Sequence, residues 1–330
     1  MMPPNTPICS VVMPSILVVE LGAMASTPPL ALIMALMAVY LPIVGIAATL
    51  LWPLPIIVLI VRHGMQYGVL SVAAAAIIMT ILISPMSAVH MVAAFGPPSL
   101  ALGYGFYKGL SAARILLYGI VASLVGVFLT AGLTMLITGI NPLAMAEQVE
   151  SMKEAAGAAF QMYESLGMSA SELEQTKTQF MEAMEYVTLL LPVVFLLSGM
   201  ITAWLNFAVG GKVLRRLGHH VTTLPEFDDW HLPKAILYIF GFSLVGLYWG
   251  STREIEILQQ VSLNAYVLST LAGFIQGTAV ISSFARNRIS RWLFWLIVLF
   301  VFLNGAISQI LAVCGLFDML FDYRKRFRRS

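Results

Sequence analysis

The chain has 330 residues, of which 59% are hydrophobic and 10% are charged, and its formal net charge is +2. Between positions 9 and 139 only four charged side chains occur: Glu20, Arg62, Lys108 and Arg114. This composition excludes a water-soluble protein, because a soluble domain needs charges on its surface. A helix that crosses a hydrocarbon core of about 30 Å needs about 20 mostly apolar residues. The sequence therefore predicts an all-α polytopic membrane protein.

Nine hydrophobic segments predict about eight or nine transmembrane helices. If they cross alternately from a cytoplasmic N-terminus, the inner loops hold ten Lys and Arg residues and the outer loops hold three. Basic residues favour the cytoplasmic side of a membrane, so we expect a cytoplasmic N-terminus. The segments are 15–40, 42–61, 65–86, 88–107, 113–138, 187–209, 234–250, 262–284 and 292–321.

The final segment, 292–321, allows two interpretations. A helix of that length extends about 45 Å, which is too long for one perpendicular span and too short for two full spans. Either one tilted span ends in an interfacial helix, or the chain turns back at Asn304-Gly305. In the second case the basic tail, 322–330, returns to the cytoplasm.

Prolines interrupt three of the early segments, at 28–29, 53–55 and 97–98. Proline removes a backbone donor and disturbs the preceding turn. A broken helix inside a membrane is tolerated only where protein buries it or where it lines a cavity. Simple kinks packed against neighbouring helices are one explanation, and an internal cavity among the first hundred residues is the other.

Pairs of small residues four positions apart allow helices to approach closely. We expect most of them to pack within the protein, and a surface that faces a partner is the alternative. The pairs are Ala31/Ala35, Gly119/Ser123, Gly246/Gly250 and Gly273/Gly277.

The loop 140–186 is predicted to form an extracytoplasmic hairpin of two amphipathic helices. Asn141-Pro142 begins the first helix, and Ser169 with Glu172 forms a capping box for the second. Apolar residues recur at alternating spacings of three and four. The predicted seam includes Val149, Met152, Tyr163, Phe180 and Val187.

The chain is thus divided into a transmembrane core of spans 1–5 (1–139), the hairpin (140–186), spans 6–9 (187–321) and the basic tail (322–330). A cytoplasmic loop, 210–233, lies within the third part. Its Arg215 and Arg216 are candidates for contact with anionic lipid or a cytoplasmic partner.

The same loop carries residues that bind metals in other proteins. Adjacent histidines cannot easily face one ion, and there is no histidine pair four residues apart. We therefore predict neither a metal site nor a cofactor. The residues considered are His219, His220, Asp228, Asp229 and His231.

Catalytic motifs are missing from the sequence. There is no G-x-S-x-G, no H-E-x-x-H and no P-loop, so we expect no enzymatic activity. Asp318 and Asp322 lie four residues apart on one helical face, an arrangement that magnesium-dependent prenyl- or phosphotransferases use. Because Arg324, Lys325 and Arg326 follow directly, we interpret these acids as partners of the basic tail.

Polar residues inside the predicted spans are the candidates for a ligand pocket, because their burial costs free energy unless they have partners. Neutral amides and tyrosines suit a small, largely uncharged ligand, and hydrogen bonds between helices are the alternative for each. The candidates are His90, Tyr104, Tyr107, Asn141, Asn206, Asn264 and Gln276.

Several motifs follow one another along essentially the whole chain. They are Pro53-Leu-Pro55 before Arg62-His63-Gly64, Gly103-Tyr-Gly105 with Lys108, Gly139-Ile-Asn141, Leu214-Arg-Arg-Leu-Gly218, Phe227 to Trp230 to Pro233, and Gly315 to Asp318 to Asp322-Tyr-Arg324. In this order they resemble the YybS-like family of uncharacterised bacterial membrane proteins.

The first six spans are also distantly similar to the S components of energy-coupling-factor vitamin transporters, which implies an S-component-like six-helix core. Such proteins bind small metabolites and use small residues of span one to dock a shared membrane subunit. The resemblance implies that role for Ala31 and Ala35. Three further hydrophobic segments and the hairpin depart from the six-span pattern.

These observations predict a multi-pass protein of the bacterial cytoplasmic membrane that binds, or helps to transport, a small metabolite. The alternative is a non-transporting scaffold or regulatory protein that recruits a cytoplasmic partner. The expected partners are the lipid bilayer, a small-molecule ligand, and an ATPase module or a signalling protein. No nucleic-acid partner is expected.

Overall fold

The computed structural model describes residues 33–34, 36–37, 41–139, 145–165, 169–286 and 288–324. Within these ranges the chain forms α-helices and one short 3-10 turn, Phe227–Asp229, and no strand, which confirms the all-α prediction. The helices are α1 (Pro42–Leu51), α2 (Pro53–His63), α3 (Met65–Leu82), α4 (Pro85–Tyr107), α5 (Ala112–Thr138), α6 (Met145–Ser165), α7 (Ala170–Arg216), α8 (Ala235–Thr252), α9 (Glu256–Ala285), α10 (Arg291–Leu303) and α11 (Gly305–Phe321).

Six helical stretches of the described chain are long and apolar enough to cross a bilayer, and a seventh is added if the bent pair α10–α11 counts as one span. The polytopic prediction is therefore confirmed. The predicted span 88–107 corresponds to α4, which has the length of a span but a lower hydropathy than the six. The predicted span 15–40 lies mostly outside the described residues. The six are Gly45–His63, Met65–Leu82, Ala112–Thr138, Leu189–Arg216, Ala235–Thr252 and Glu256–Ala285.

The helices belong to two compact units. Unit 1 comprises the described residues of 1–144 and 195–224, and unit 2 comprises those of 145–194 and 225–330. Helix α7 contributes its first part to unit 2 and its second part to unit 1. The units are thus discontinuous in sequence.

The core of unit 1 forms around the proline-rich junction of α1 and α2. Trp52, between the two helices, is fully buried with Ile56 and Ile60 in one apolar cluster. A second cluster places Ile57 against Phe106 and Phe207, whose rings stack at 5.3 Å. Because lipid tails are as apolar as these side chains, close packing rather than removal from water stabilises such clusters in a membrane, and these contacts place α2 at the centre of the unit.

The double proline of α4 is accommodated by a glycine on α5. Pro97 and Pro98 cannot donate hydrogen bonds to the carbonyl groups of Ala93 and Ala94. Gly126 faces these carbonyls so closely that a Cβ there would lie 3.0 Å from the Ala93 oxygen and would overlap the Ala94 oxygen. The missing side chain therefore allows α5 to cover the broken part of α4.

Unit 2 is held together by the glycine pairs that the sequence identified. A Cβ at Gly250 would lie 2.8 Å from the backbone nitrogen of Gln259, which places α8 against α9. Gly273 and Gly277 on α9 meet Gly315 on α11 with no room for a side chain at any of the three. The expectation that these small residues pack within the protein is confirmed for both pairs.

The final predicted segment breaks at Asn304, where the chain bends by 109° between α10 and α11. Asn304 caps α11, because its side chain accepts a hydrogen bond from the Ile307 N–H at 3.1 Å. Gln309 donates to Tyr266 and, farther along both helices, Gln276 donates to Asp318. Helices α9 and α11 therefore run in the same direction and end at the same end of unit 2. This geometry favours the interpretation in which the chain turns back.

The loop between α5 and the spanning part of α7 contains the two helices that were predicted for it. Ser169 and Glu172 form the expected capping box, with Ser169 Oγ donating to Glu172 Oε2 at 2.7 Å. Phe160 of α6 contacts Phe180 of α7 edge to face at 5.7 Å.

The predicted seam of this hairpin is partly wrong. Met152, Tyr163 and Val187 are exposed, whereas Phe160 is buried with Leu173 and Met184. The face on which α6 and α7 meet thus includes the predicted Phe180, which contacts Phe160, but not Met152, Tyr163 or Val187. Val149 has no described side-chain environment.

Candidate functional site

Asn206 provides a hydrogen bond next to the break between α1 and α2 in unit 1. Its fully buried amide donates to the Leu50 carbonyl at 2.8 Å and to the Thr202 carbonyl at 2.9 Å. Leu50 lies just before Pro53 and Pro55, where the regular helical bonding is interrupted. The side chain that was predicted as a ligand contact thus satisfies a backbone group.

Asn264 has the same role in unit 2, where Pro192 interrupts α7. In an unbroken helix the Val193 N–H would donate to the Leu189 carbonyl. Instead Val193 N donates to Asn264 Oδ1 at 2.8 Å, and Asn264 Nδ2 donates to the Leu189 carbonyl at 2.7 Å. The Asn264 amide thus replaces this helical hydrogen bond, because it bonds both the Val193 N–H and the Leu189 carbonyl.

Gln276 begins a buried polar network at the end of unit 2. It accepts from the Leu232 N–H at 3.1 Å and donates to Asp318 Oδ2 at 2.8 Å. Asp318 also pairs with Arg324 at 3.3 Å, and both side chains are buried. The interpretation of Asp318 as a partner of the basic tail is therefore confirmed for Arg324.

Arg324 ties the end of α11 to the segment 225–233. Its guanidinium donates to the Asp228 carbonyl and, at 2.6 Å, to the Trp230 carbonyl. His231 lies 3.4 Å from Asp322. The last part of the described chain therefore lies at the same end of unit 2 as the turn after α9.

Next to this network lies a pocket of about 620 Å³. Asp228 accepts a hydrogen bond from Ser282 and pairs with Arg286 at 3.3 Å, and Arg286 also pairs with Glu226. Arg291 lines the pocket as well and has no ion pair within the described residues. Two carboxylates and two guanidinium groups therefore face one cavity.

The other walls of the pocket are aromatic. Phe227 and Phe294 each lie 5.5 Å from Trp295, measured between ring centroids. Aromatic rings contribute large apolar contact areas and can stack on planar groups. The pocket can therefore bind a small molecule by ion pairing on one side and by stacking on the other.

The remaining ligand candidates lie elsewhere. His90 contacts Thr134 Oγ1 at 2.8 Å and thereby joins α4 to α5. Tyr104 and Tyr107 are exposed at the end of α4, with the Lys108 ammonium 5.9 and 5.7 Å from their ring centroids. Both tyrosines belong to unit 1, whereas the residues of the pocket belong to unit 2. Asn141 is outside the described residues.

Of the residues predicted to contact a partner, only two lie within the described part of the chain. Arg215 and Arg216 are exposed at the end of α7, as a surface for a partner requires. Ala31 and Ala35 are outside the described residues. Among the described residues, His, Cys, Asp and Glu form no group of three that could hold a metal ion.

The sequence reasoning missed Ser282, Arg286 and Arg291 as pocket residues. The sequence indicated Arg286 and Arg291 only as basic residues that favour one orientation of the chain in the membrane. The signal that could have found the site is the run Glu226 to Trp230, in which three acidic and two aromatic residues lie close together in sequence.

A family model described as "Predicted membrane protein (DUF2232)" matches residues 29–319. The chain belongs to this family. It is 20% identical over 299 residues to the protein named "Uncharacterized protein YybS" of Bacillus subtilis (strain 168), with 90% of this chain and 94% of that protein covered. The resemblance to the YybS-like family is thereby confirmed. No solved structure matches the chain.

Proposed function

We propose that this DUF2232 protein is a non-enzymatic binding protein of the bacterial cytoplasmic membrane, and that it binds a small metabolite in the pocket of unit 2. The pocket supports the proposal most directly. Its volume of about 620 Å³ falls within the range of about 300–1,000 Å³ that is typical of small-molecule sites. It combines apolar walls with a few charged groups, which is the usual composition of such sites.

The charged groups of the pocket are held in position before any ligand binds. Arg286 is fixed by Glu226 and Asp228, and Asp228 is fixed in turn by Ser282. Preorganised groups lose little conformational entropy on binding. Arg291 offers a free guanidinium for an acidic group of the ligand, and Trp295 offers a ring for an apolar or planar part.

The division into units supports the further proposal that an S-component-like core helps to transport the ligand. The described residues of unit 1 include the second to fifth predicted spans and most of the sixth, and they form one compact unit. An ATPase module docked through Ala31 and Ala35 would supply the energy, and the N-terminus would be cytoplasmic.

The exposed Arg215 and Arg216 favour a second candidate function. In this case the protein is a scaffold whose basic helix end recruits a cytoplasmic protein. Crosslinking in membranes followed by affinity purification separates the two. Recovery of an ATPase module supports transport, and recovery of a signalling protein that is lost in an Arg215→Gln, Arg216→Gln variant supports the scaffold.

The binding proposal is tested by the thermal stability of the purified full-length chain in detergent with a panel of vitamins, nucleosides, amino acids and their phosphates. We expect at least one compound class to raise the melting temperature. Trp295→Ala and Arg291→Gln should abolish this increase.

Trp249→Ala is the matched control. Trp249 and Trp295 are each 52% exposed. Trp249 lies at the end of α8 that is away from the segment 225–233, and its ring is 5.8 Å from the Arg253 guanidinium. This variant should keep the full ligand effect. A panel without any stabilising compound, or an increase that survives in both pocket variants, would contradict the proposal.

A further inference from the structure

The described part of unit 1 contains no Asp or Glu but contains six Lys and Arg residues. They lie at helix ends that meet at one end of the unit: Leu214 packs in one cluster with Ile57 and Ile115, and Thr222 donates to the Leu110 carbonyl at 2.8 Å. No acid of the described part of the unit can neutralise these charges. The six are Arg62, Lys108, Arg114, Lys212, Arg215 and Arg216.

Lys108 differs from the others because it lies between two exposed tyrosines. Its ammonium is 5.9 Å from the Tyr104 ring and 5.7 Å from the Tyr107 ring. Tyrosine at a membrane interface has one apolar and one hydrated end, and a lysine stem lies along apolar surface while its charge stays in water. The three side chains thus mark the level at which lipid headgroups meet the hydrocarbon.

An apolar groove begins at Tyr104. It has a volume of about 610 Å³ and lies between α3, α4 and α5, where Tyr104 shares its lining with Leu117, Tyr118 and Ala122. Pro97 and Leu100 also line a second apolar groove of about 490 Å³, which continues along α4 to Ala88. From Tyr104 to Ala88 the path is about 24 Å along the helix, which exceeds the depth of one leaflet, about 15 Å.

We propose that this surface of unit 1 is a binding site for a phospholipid with a net negative charge. The phosphate pairs with Lys108 and hydrogen-bonds to the tyrosines, and an acyl chain lies in the groove. Basic residues next to spanning helices attract anionic lipid headgroups, and the described part of the unit contains no acidic residue that would offset this attraction. All lining residues of this site belong to unit 1, and none of them lines the pocket of unit 2.

The groove distinguishes a lipid from an acidic protein as the occupant. An acidic protein would need only exposed cations, such as Arg215 and Arg216. Lys108 instead stands at the mouth of an apolar channel that begins at Tyr104, and a ligand with one charged end and a long apolar end fits both features. A free phosphate would use Lys108 and leave the groove unfilled.

The proposal is tested with the delipidated full-length protein by native mass spectrometry, which counts bound lipids. Phosphatidylglycerol and phosphatidylcholine with identical chains are titrated separately, and glycerol phosphate serves as the headgroup without chains. We expect the parent to prefer phosphatidylglycerol. Lys108→Gln should lower that preference roughly five-fold, the effect of one interfacial cation, and Lys108→Arg should preserve it.

Two further variants test the site itself. Ala122→Phe narrows the groove and should weaken both lipids at least several-fold, whereas Ala113→Phe, on an exposed position of the same helix outside the groove lining, should leave both unchanged. Arg216→Gln should keep the preference for phosphatidylglycerol.

Three outcomes would overturn the proposal. Equal losses in Lys108→Gln and Arg216→Gln would mean that the charges act as a diffuse field. Binding of glycerol phosphate as tight as that of the lipid would assign the site to a free anion. A copurifying acidic protein that is lost with Arg216→Gln, together with a lipid preference unaffected by Lys108→Gln, would assign the basic end to a protein partner.

Discussion

Replacement of Arg324 by leucine removes the guanidinium that joins α11 to the segment 225–233. Asp318 is 1% exposed and Arg324 is 5% exposed, so neither charge can be hydrated when its partner is lost. Removal of one member of a buried ion pair typically costs about 3–5 kcal/mol. Asp318 keeps hydrogen bonds from Gln276 at 2.8 Å and from the Tyr323 N–H at 2.9 Å. We therefore expect a loss near the lower end, about 3 kcal/mol.

The free energy of unfolding of the full-length chain in mixed detergent micelles measures this loss. Arg288→Leu is the control, because Arg288 is exposed and its side chain has no hydrogen bond or ion pair within the described residues. It should change stability by no more than about 0.5 kcal/mol. Asp318→Leu combined with Arg324→Leu should cost less than the sum of the single changes, because no unpaired charge remains.

The reasoning would be refuted by equal losses for Arg324→Leu and Arg288→Leu, since the guanidinium would then have no special role. Strict additivity in the double variant would also refute it, because the two charges would then not be coupled.

In the same assay, Gly126→Leu should lower the free energy of unfolding by about 1–3 kcal/mol or more, because the leucine side chain would collide with the carbonyls of α4. The hydrogen bond from the Ser169 side chain, followed by that from its backbone, lowers the pKa of Glu172 below its ordinary value of 4.5. The cap therefore stabilises the start of α7 above that pH and is lost as the pH falls through the lowered pKa; hydrogen exchange corrected for intrinsic rates should show this, and Glu172→Gln, which removes the titrating group, should abolish it. These two cysteine variants are made in a chain whose native cysteines are replaced. In intact cells, Ser165→Cys should react with an impermeant maleimide, and Ser290→Cys should react only after permeabilisation.

Controls make each of these results decisive. Gly132→Leu on the same helix, where a Cβ would meet nothing within 4 Å, should leave stability nearly unchanged, and a loss as large as that of Gly126→Leu would contradict the packing argument. A pH dependence that persists in Glu172→Gln would mean that the cap is not its source. Labelling of Ser290→Cys but not of Ser165→Cys in intact cells would reverse the predicted orientation.

Features set by local sequence could be predicted well. The helical segments follow from runs of apolar residues, and the cap at Ser169 follows from a spacing of three residues. The break at Asn304 follows from a residue that caps helices and a length that does not fit one span. Each of these depends on neighbours in sequence.

The partners of the polar residues could not be predicted, because they depend on contacts between helices that are distant in sequence. Asn264 acts on Leu189 and Val193, and Asn206 acts on Leu50, 156 residues away. The sequence showed that these amides needed hydrogen-bond partners. It did not show that backbone groups next to proline breaks in other helices would be those partners. The hairpin seam was partly misplaced for a similar reason, because the packing of one helix against the other decides which of its residues are buried.

The central claim is that ligand binding resides in the pocket of unit 2, whereas the buried amides maintain the helices. The most direct measurement is the melting temperature of each variant with and without the stabilising compound from the panel. Asn206→Leu should lower the ligand-free melting temperature, since a carbonyl loses a partner at a cost of about 1–3 kcal/mol, and should keep the ligand-induced increase. Trp295→Ala should lose the increase. An increase that is lost in Asn206→Leu and retained in Trp295→Ala would contradict the claim.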